Sequence, residues 1–209
     1  MTPHENMRTN IEALGLPEQP KHVLVVDDEL LVAQGIMATL NTLGYEIIGP
    51  CKNGEEAIQK CRDDRPDIVL MDIQMPVMDG MQAAQIIFPE LDIPVVMLTA
   101  YSDDTYLRNC VAAGVFGFLL KPASGEQLRA GITVAWDRFL DHVEQQSQIV
   151  DLKQRLDDRR LIEKAKWIIV KRKEISEPDA MKLLQKQSRS SRKTIAAVAR
   201  AVIDSDGLL

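Results

Sequence analysis

The sequence predicts an α/β domain built on an open parallel sheet of five strands, followed by a long connecting helix and a small all-α region. Two observations lead to this prediction. Between residues 21 and 135, short apolar runs alternate five times with segments of helical periodicity, which is typical of βαβ units in a sheet covered on both faces. Beyond residue 130 no strand pattern recurs, and neither Pro nor Gly lies between Gly131 and Pro178, so one helix can continue for a long way.

The predicted strands are short and rich in Val, Ile, Leu and Met, as buried strands of a parallel sheet are. Gly44 and Gly114 mark helix ends, and Ser124 can cap a helix that begins at Gly125. The pattern predicts a flavodoxin-like (βα)5 fold, in which the first and third strands are neighbours. The predicted strands are 22–26, 46–49, 67–71, 94–98 and 116–120, and the predicted helices are 30–43, 54–63, 81–88, 103–113 and one from about 125.

Four of the predicted strands end at polar side chains. The third strand stops at Asp72, and Pro76 and Gly80 keep the following residues from extending it. Taken singly, such an Asp is more typical of a helix cap, but the carboxyl ends of parallel strands meet at one edge, so the ordered set indicates a site. Carboxylates suit Mg²⁺, and a hydroxyl and an ammonium suit a transferred phosphoryl group. The sequence therefore predicts phosphoryl transfer to an aspartate, with the other strand ends supplying Asp27, Asp28, Thr99 and Lys121.

This ordered set resembles the receiver domains of two-component response regulators, and the resemblance covers residues 21–137, running on to about residue 140. It implies that Asp72 accepts a phosphoryl group from a sensor histidine kinase, and that Phe118 is the switch aromatic. It also implies Mg²⁺ as the cofactor. The implied metal ligands are Asp27, Asp28, Asp72 and the Gln74 backbone carbonyl, with Thr99 as the switch hydroxyl and Lys121 as the cation that pairs with the phosphoryl group.

The composition fits a globular chain with one ordinary domain and a smaller one, since 45% of its 209 residues are hydrophobic and 27% are charged. Residues 1–20 contain three prolines and no apolar run, so they are expected to form a flexible lead-in without a signal peptide. No stretch approaches the ~20 apolar residues of a membrane span, and a cytoplasmic location is expected. No second pairing of a nucleophile with a base is visible, so we do not expect a further enzymatic activity.

The segment 138–155 is predicted to be a helical linker. Ile149, Leu152 and Leu156 have the 3-then-4 spacing of a coiled-coil seam, but the pattern is broken at residues 145–147 and does not persist over several heptads. Two interpretations stay open: a short dimerising coiled coil, which the spacing favours, and a helix that packs on its own receiver. We expect a homodimer promoted by phosphorylation.

The two parts of the chain differ in charge. Residues 1–150 hold 10 Lys and Arg against 22 Asp and Glu, a net charge of −12, whereas residues 151–209 hold 15 against 9, a net charge of +6. Such an asymmetry indicates an anionic partner for the C-terminal part. Ser176 and Asp179 have the spacing of a helix N-cap and capping box, and the helix that they begin carries cations on one face. A solvated helix face is the simpler interpretation of such a stripe, but no acidic residue lies between Met181 and Ala201 to balance it, which suits phosphate contacts.

The C-terminal residues 156–209 resemble the ANTAR domain of transcription antitermination regulators. The resemblance rests on Arg160 to Lys166, Ser176 to Ala180, Leu183 and Leu184, Arg192 and Lys193, and Ala197 to Ile203. It implies a three-helix domain that binds hairpin RNA in nascent transcripts as a dimer. Trp167 stands where the family usually has Gly, and Ser188 where it usually has Ala. The candidate RNA contacts are Lys166, Lys182, Lys186, Arg189, Arg192 and Lys193.

The whole chain is thus expected to be a response regulator in which phosphorylation of Asp72 switches RNA binding and prevents a terminator from forming. One alternative is a receiver with a helical output for protein interaction or dimerisation that does not bind nucleic acid. A third possibility, a DNA-binding output, has less support because residues 188–193 lack the Gly-containing turn typical of a helix-turn-helix.

Overall fold

The structure is a computed structural model that describes residues 16–100 and 114–206. Its α/β part contains five strands, each with helices packed beside it, as the sequence predicts. The predicted helix 103–113 lies outside the described residues. The strands are β1 (His22–Val26), β2 (Glu46–Cys51), β3 (Ile68–Asp72), β4 (Val95–Thr99) and β5 (Val115–Leu120), and the helices are α1 (Leu30–Thr42), α2 (Gly54–Asp64), α3 (Gly80–Leu91), α4 (Gly125–Lys173), α5 (Glu177–Ser191) and α6 (Ile195–Asp206).

The five strands form one parallel sheet in the order β2-β1-β3-β4-β5. β1 and β3 are neighbours, with Val25 opposite Leu70 and Val26 opposite Met71. The flavodoxin-like prediction is therefore confirmed. Because β1 and β3 run side by side in register, the residues that follow them lie together at the carboxyl edge of the sheet.

Apolar side chains bury both faces of the sheet. Along β1, Leu24 and Val26 belong to one core cluster and Val23 and Val25 to the other, as expected when successive side chains point to opposite faces. The second cluster contains the first turns of α4, through Leu128 and other buried residues. Cores on both faces hold the sheet, and hence its carboxyl edge, in a fixed geometry.

The ends of the elements agree with the sequence prediction to within a few residues, and α3 shows the largest difference in the α/β part. The predicted helix 81–88 continues past Pro89 to Leu91. The Asp92 N–H donates the last helical hydrogen bond to the Phe88 carbonyl, and the left-handed backbone of Asp92 then ends the helix. At the start of α4 the predicted cap is present, since the Gln127 backbone N–H donates to the Ser124 hydroxyl oxygen.

The chain divides into two compact units, residues 1–144 and 145–209. The second unit is all-α and contains the end of α4 with α5 and α6, as the sequence predicts. Small and branched residues form its core: Ala165, Ile169, Ala180, Leu184, Val198 and Ala199. Within the described residues, no helix is both long and apolar enough to cross a membrane.

The start of α5 differs from the prediction in one hydrogen bond. Ser176 is the N-cap, and its hydroxyl oxygen accepts from the Asp179 backbone N–H at 3.4 Å. In a capping box, the Asp179 carboxylate would accept a hydrogen bond from the Ser176 backbone N–H. Here it accepts from the Ser176 hydroxyl instead, at 2.6 Å. The aspartate side chain is one methylene shorter than the usual glutamate, and the nearer hydroxyl satisfies it.

Candidate functional site

Asp72 is the last residue of β3 and lies at the carboxyl edge of the sheet. Its Oδ1 accepts a hydrogen bond from the Ile73 backbone N–H at 2.7 Å, and its side chain is 13% exposed. The turn that follows returns to β3, where the Gly80 backbone N–H donates to the Ile73 carbonyl at 2.9 Å. The carboxylate is therefore held at a defined place that water can still reach.

Gly80 is a residue of this site that the sequence analysis treated only as the end of the strand. A Cβ at position 80 would overlap the carbonyl oxygen of Asp72 and lie 3.2 Å from the Cα of Ile73. Asp79 caps α3 just before it, with its side chain accepting from the Gln82 backbone N–H at 2.7 Å. The Asp-Gly pair after Pro76 was the sequence signal for this close approach.

Asp27 follows β1, and its side chain is fully buried. Its Oδ1 accepts from the Glu29 backbone N–H at 3.0 Å, and its Oδ2 lies 2.6 Å from the Lys121 ammonium nitrogen. The same ammonium lies 2.8 Å from Oδ2 of Asp72. Lys121 therefore bridges two carboxylates. Its contact with Asp27 was not indicated by the sequence.

The environment of Lys121 changes its proton affinity in two opposing ways. Burial lowers the pKa of the ammonium, but the hydrogen bonds that it donates to Asp27 and Asp72, and the charges of these carboxylates, outweigh burial, so the pKa lies above its ordinary value. Lys121 is therefore a fixed positive charge at neutral pH.

Three carboxylates come together at this edge. Oxygen atoms of Asp27, Asp28 and Asp72 all lie within 4.8 Å of one another, and Asp28 is exposed to solvent. An all-oxygen donor set with an open side is what Mg²⁺ prefers, because this ion keeps several waters. The three residues therefore fit a hard divalent cation.

A cavity of about 290 Å³ opens above Asp72. Thr99 lies at the end of β4 and is buried at its wall. Phe118, on β5, is half-buried and packs against the same core cluster as Met97 and Val115. The cavity is lined by Asp28, Glu29, Asp72, Ile73, Gln74, Thr99, Ala100 and Lys121.

The candidate RNA contacts in the second unit differ in side-chain exposure and in whether an acidic residue pairs with them. The Lys166 side chain is only 14% exposed, and its ammonium pairs with Glu163 at 2.9 Å and with Glu177 at 3.4 Å. Lys182 pairs with Asp179 at 3.1 Å but is exposed. The others are exposed and form no ion pair with any residue that the structure describes: Lys186, Arg189, Arg192 and Lys193.

Several large apolar side chains of α4 are exposed. Ile149, Leu152 and Leu156, the residues of the predicted seam, are 42%, 58% and 58% exposed. Trp167 is 54% exposed, so its indole is not part of the core of the second unit. Within the described residues, the predicted seam and the Trp167 indole are therefore both available to a partner.

Comparison with known proteins identifies both units. Residues 23–133 match the family of response regulator receiver domains, and residues 150–203 match the ANTAR domain family. The chain therefore belongs to the response regulators and carries an ANTAR domain as its second unit.

Among curated proteins, the chain is similar to the transcriptional regulatory protein PdtaR of Mycobacterium tuberculosis, strain CDC 1551 / Oshkosh. The two are 34% identical over 188 residues, which span 90% of this chain and 92% of PdtaR. The similarity therefore extends over most of both chains and includes both units.

Solved structures support the receiver fold. The signal receiver domain of a modulated diguanylate cyclase from Desulfovibrio desulfuricans G20 is 32% identical, with a TM-score of 0.53, and the match covers 58% of this chain and 97% of that one. A chain of the CheX-CheY-BeF3-Mg+2 complex from Borrelia burgdorferi gives 28% identity and a TM-score of 0.51, covering 55% of this chain and 87% of that one. That structure was obtained with a beryllium fluoride and a magnesium ion.

Proposed function

We propose that this protein is a phosphorylation-controlled regulator in which Asp72 accepts a phosphoryl group from a sensor histidine kinase and thereby switches hairpin-RNA binding by the ANTAR domain. The observation that carries the proposal is the bridge from Lys121 to Asp72 and Asp27 at the carboxyl edge of the sheet. It combines a solvent-accessible carboxylate, which can act as nucleophile, with a fixed cation beside it.

Each side chain at the site has a proposed task. Asp72 attacks the phosphorus, and the donor's histidine leaves. Asp27, Asp28, Asp72 and the Gln74 carbonyl would hold Mg²⁺, which when bound supplies charge neutralisation on the phosphoryl oxygens. Lys121 would exchange its contact with the Asp72 carboxylate for a phosphoryl oxygen, and the Thr99 hydroxyl would donate to another.

The phosphoryl group adds charge at one edge of the sheet and draws Thr99 and Lys121 toward it. Phe118 lies on β5, and Lys121 comes directly after the end of that strand, so a shift of β5 moves the Phe118 ring. The proposed switch is a change in this β5 surface. The next helix in the chain, α4, would transmit the change to the second unit. The exposed Ile149, Leu152 and Leu156 suit a helix pair between two copies, which gives a homodimer promoted by phosphorylation.

RNA is the proposed ligand of the second unit because the family match and the charges agree. Residues 151–209 carry a net charge of +6, and Lys186, Arg189, Arg192 and Lys193 present unpaired charge within the described residues. Cations of this kind contact phosphates and make binding salt-dependent. By holding a hairpin, the protein would prevent formation of a terminator and so promote antitermination.

The test is RNA binding over a salt series, with and without beryllofluoride and Mg²⁺ as a mimic of phosphorylated Asp72. The probes are a hairpin RNA and a scrambled RNA of equal length. We expect the mimic to tighten hairpin binding selectively in the wild type and not in Asp72→Ala. Asp64→Ala is the matched control, because this carboxylate lies on α2 and, among the described residues, pairs with Lys60 alone. Equal hairpin affinity with and without the mimic would contradict the proposed switch.

A second candidate function is a helical output that binds proteins or only dimerises. The exposed apolar residues of α4 favour it, since they would serve an interaction surface without any RNA. The same experiment separates the two functions. Binding that is weak, steeply salt-dependent and indifferent to RNA shape would favour the protein-interaction output.

A further inference from the structure

Trp167 is an exposed aromatic residue in a position that the folding of its own domain does not explain. It lies on α4, where Ala165 and Ile169 on neighbouring turns are buried in the core of the second unit and Trp167 is 54% exposed. The other tryptophan of the chain, Trp136, is buried among apolar residues of the first unit. The Trp167 indole therefore has no place in the core and leaves an aromatic face available to a ligand.

The residues around Trp167 on the helix surface are mostly cationic. Lys164 lies three residues before Trp167, Arg160 lies seven residues before it, and Lys171 lies four residues after it. These spacings place all three cations on the same helix face as the indole. All three are exposed, and together they extend over about 16 Å of the helix. The face therefore presents an indole with positive charge on both sides.

Two of these three cations have no acidic partner in the part of the chain that the structure describes. Lys164 and Lys171 form no ion pair with any described residue, and Arg160 has only a 3.5 Å contact with Asp157. Glu163 also lies one turn before Trp167, but its carboxylate is bound to Lys166. Lys166 and Arg172, on the same helix, do have close acidic partners among the described residues.

We propose that Trp167 is a stacking platform for an unpaired base of the bound RNA, with Arg160, Lys164 and Lys171 holding the phosphates on either side of that base. Every base offers a π face to an indole, and flanking cations follow the backbone, which is how single-stranded nucleic acid is held. In RNA, such bases are available in loops and bulges, where they can turn outward onto an aromatic side chain. This inference rests on the proposed function and adds the residue that reads the unpaired part of a hairpin.

The experiment uses the full-length protein with beryllofluoride and Mg²⁺, and a stem-loop RNA selected on the wild type from a pool with a randomised loop. Affinity is measured for the wild type and for Trp167→Ala, Trp167→Phe and Trp167→Leu. We expect Trp167→Ala to weaken binding by about 5-fold to 150-fold. Trp167→Phe should retain most of the affinity because it keeps an aromatic face, whereas Trp167→Leu should not. A fully paired duplex of the same composition should not distinguish the variants.

Two further measurements report on stacking itself. RNA should quench tryptophan emission in the wild type and not in Trp167→Phe, in which only the buried Trp136 remains. An abasic nucleotide at the loop position that stacks should weaken binding to the wild type and have no further effect on Trp167→Ala. Circular dichroism of each variant checks that the fold is intact, which an exposed position favours.

Failure of this proposal differs from failure of the proposed function. If the selected RNA binds the wild type and Trp167→Ala equally and leaves the emission unchanged, the stacking role is overturned and RNA binding stands. If Trp167→Leu binds as tightly as the wild type, an apolar contact replaces stacking and the proposal falls. If no RNA can be selected, both proposals fall, and the face around Trp167 belongs to a protein partner.

Discussion

Gly80 lies directly against the backbone carbonyl of Asp72, so closely that a methyl group at position 80 would overlap the carbonyl oxygen. The contact joins the first residue of α3 to the last residue of β3. It lets the intervening turn close with the Gly80 N–H bonded to the Ile73 carbonyl. The geometry of the candidate phosphoacceptor therefore depends on a missing side chain eight positions further along the chain.

Gly80→Ala tests this dependence. The added methyl group must push the turn away from β3, so we expect a loss of stability of about 1–3 kcal/mol and slower phosphorylation of Asp72 by a small-molecule phosphoryl donor. Thermal unfolding and phosphoprotein mass spectrometry measure the two effects. Gly35→Ala is the matched control, because an added Cβ on α1 would meet nothing within 4 Å and Ala favours a helix. Equal behaviour of the two variants would contradict the steric explanation.

Lys121→Met tests the cation that bridges Asp27 and Asp72. Without the ammonium, the buried Asp27 carboxylate loses its partner, and we expect a loss of about 3 kcal/mol of stability in EDTA. Mg²⁺ should restore more stability to this variant than to the wild type, since a positive charge that repels the ion has gone. Mg²⁺ affinity should rise roughly tenfold. Thermal unfolding over a Mg²⁺ series measures both quantities.

The control for that experiment is Lys60→Met. Lys60 also pairs with a carboxylate, Asp64, but on the surface of α2. Exposed pairs contribute little, so its stability and Mg²⁺ response should match those of the wild type. A Mg²⁺ affinity that is the same in Lys121→Met and the wild type would show that the ammonium and the ion do not compete.

Lys186→Gln tests the basic residues of α5. Lys186 is exposed and has no acidic partner among the described residues, so its charge is available to a phosphate. We expect weaker RNA binding at low salt and a salt dependence of log K that is smaller by about 1. Lys166→Gln removes the same charge from a residue already paired with two glutamates and should change the salt dependence less. The reverse order of effects would contradict the assignment.

The start of α5 should respond to acid through Asp179. Hydrogen bonding from Ser176, and then from Lys182, lowers the pKa of this carboxyl below its ordinary value. A pKa lower in the folded state than in the unfolded state means that ionised Asp179 stabilises the fold. That stabilisation is complete above the ordinary value and is lost as pH falls through the lower, folded value.

Asp179→Asn should therefore increase hydrogen exchange at the start of α5 at neutral pH, and the difference from the wild type should disappear only when the pH falls below the lowered pKa of the folded state. Hydrogen-exchange mass spectrometry at matched pH measures it. Asp204→Asn, on α6, serves as the control because that carboxylate forms no ion pair within the described residues. A difference that persists in acid would show that Asp179 acts through its shape and not its charge.

The fold was largely predictable because local patterns determine it. Alternating apolar runs place β1 and β3 correctly to within a residue, and Ser124 and Ser176 mark helix starts that the structure confirms as N-caps. The end of α3 was less predictable. The sequence gives no reason for the helix to continue past Pro89, since the helix ends only where the backbone of Asp92 becomes left-handed.

At the site, the sequence by itself determined which side chains lie at the strand ends, because strand order and parallel pairing bring them to one edge. Only the tertiary structure decided how they pair. Lys121 contacts Asp27, which lies 94 residues before it in the chain, and such a contact has no local signal. In the second unit, likewise, the sequence supplied the cations, but packing decided that Lys166 is neutralised and that Trp167 faces solvent. Exposure and pairing belong to the folded surface, so no pattern along the chain could determine them.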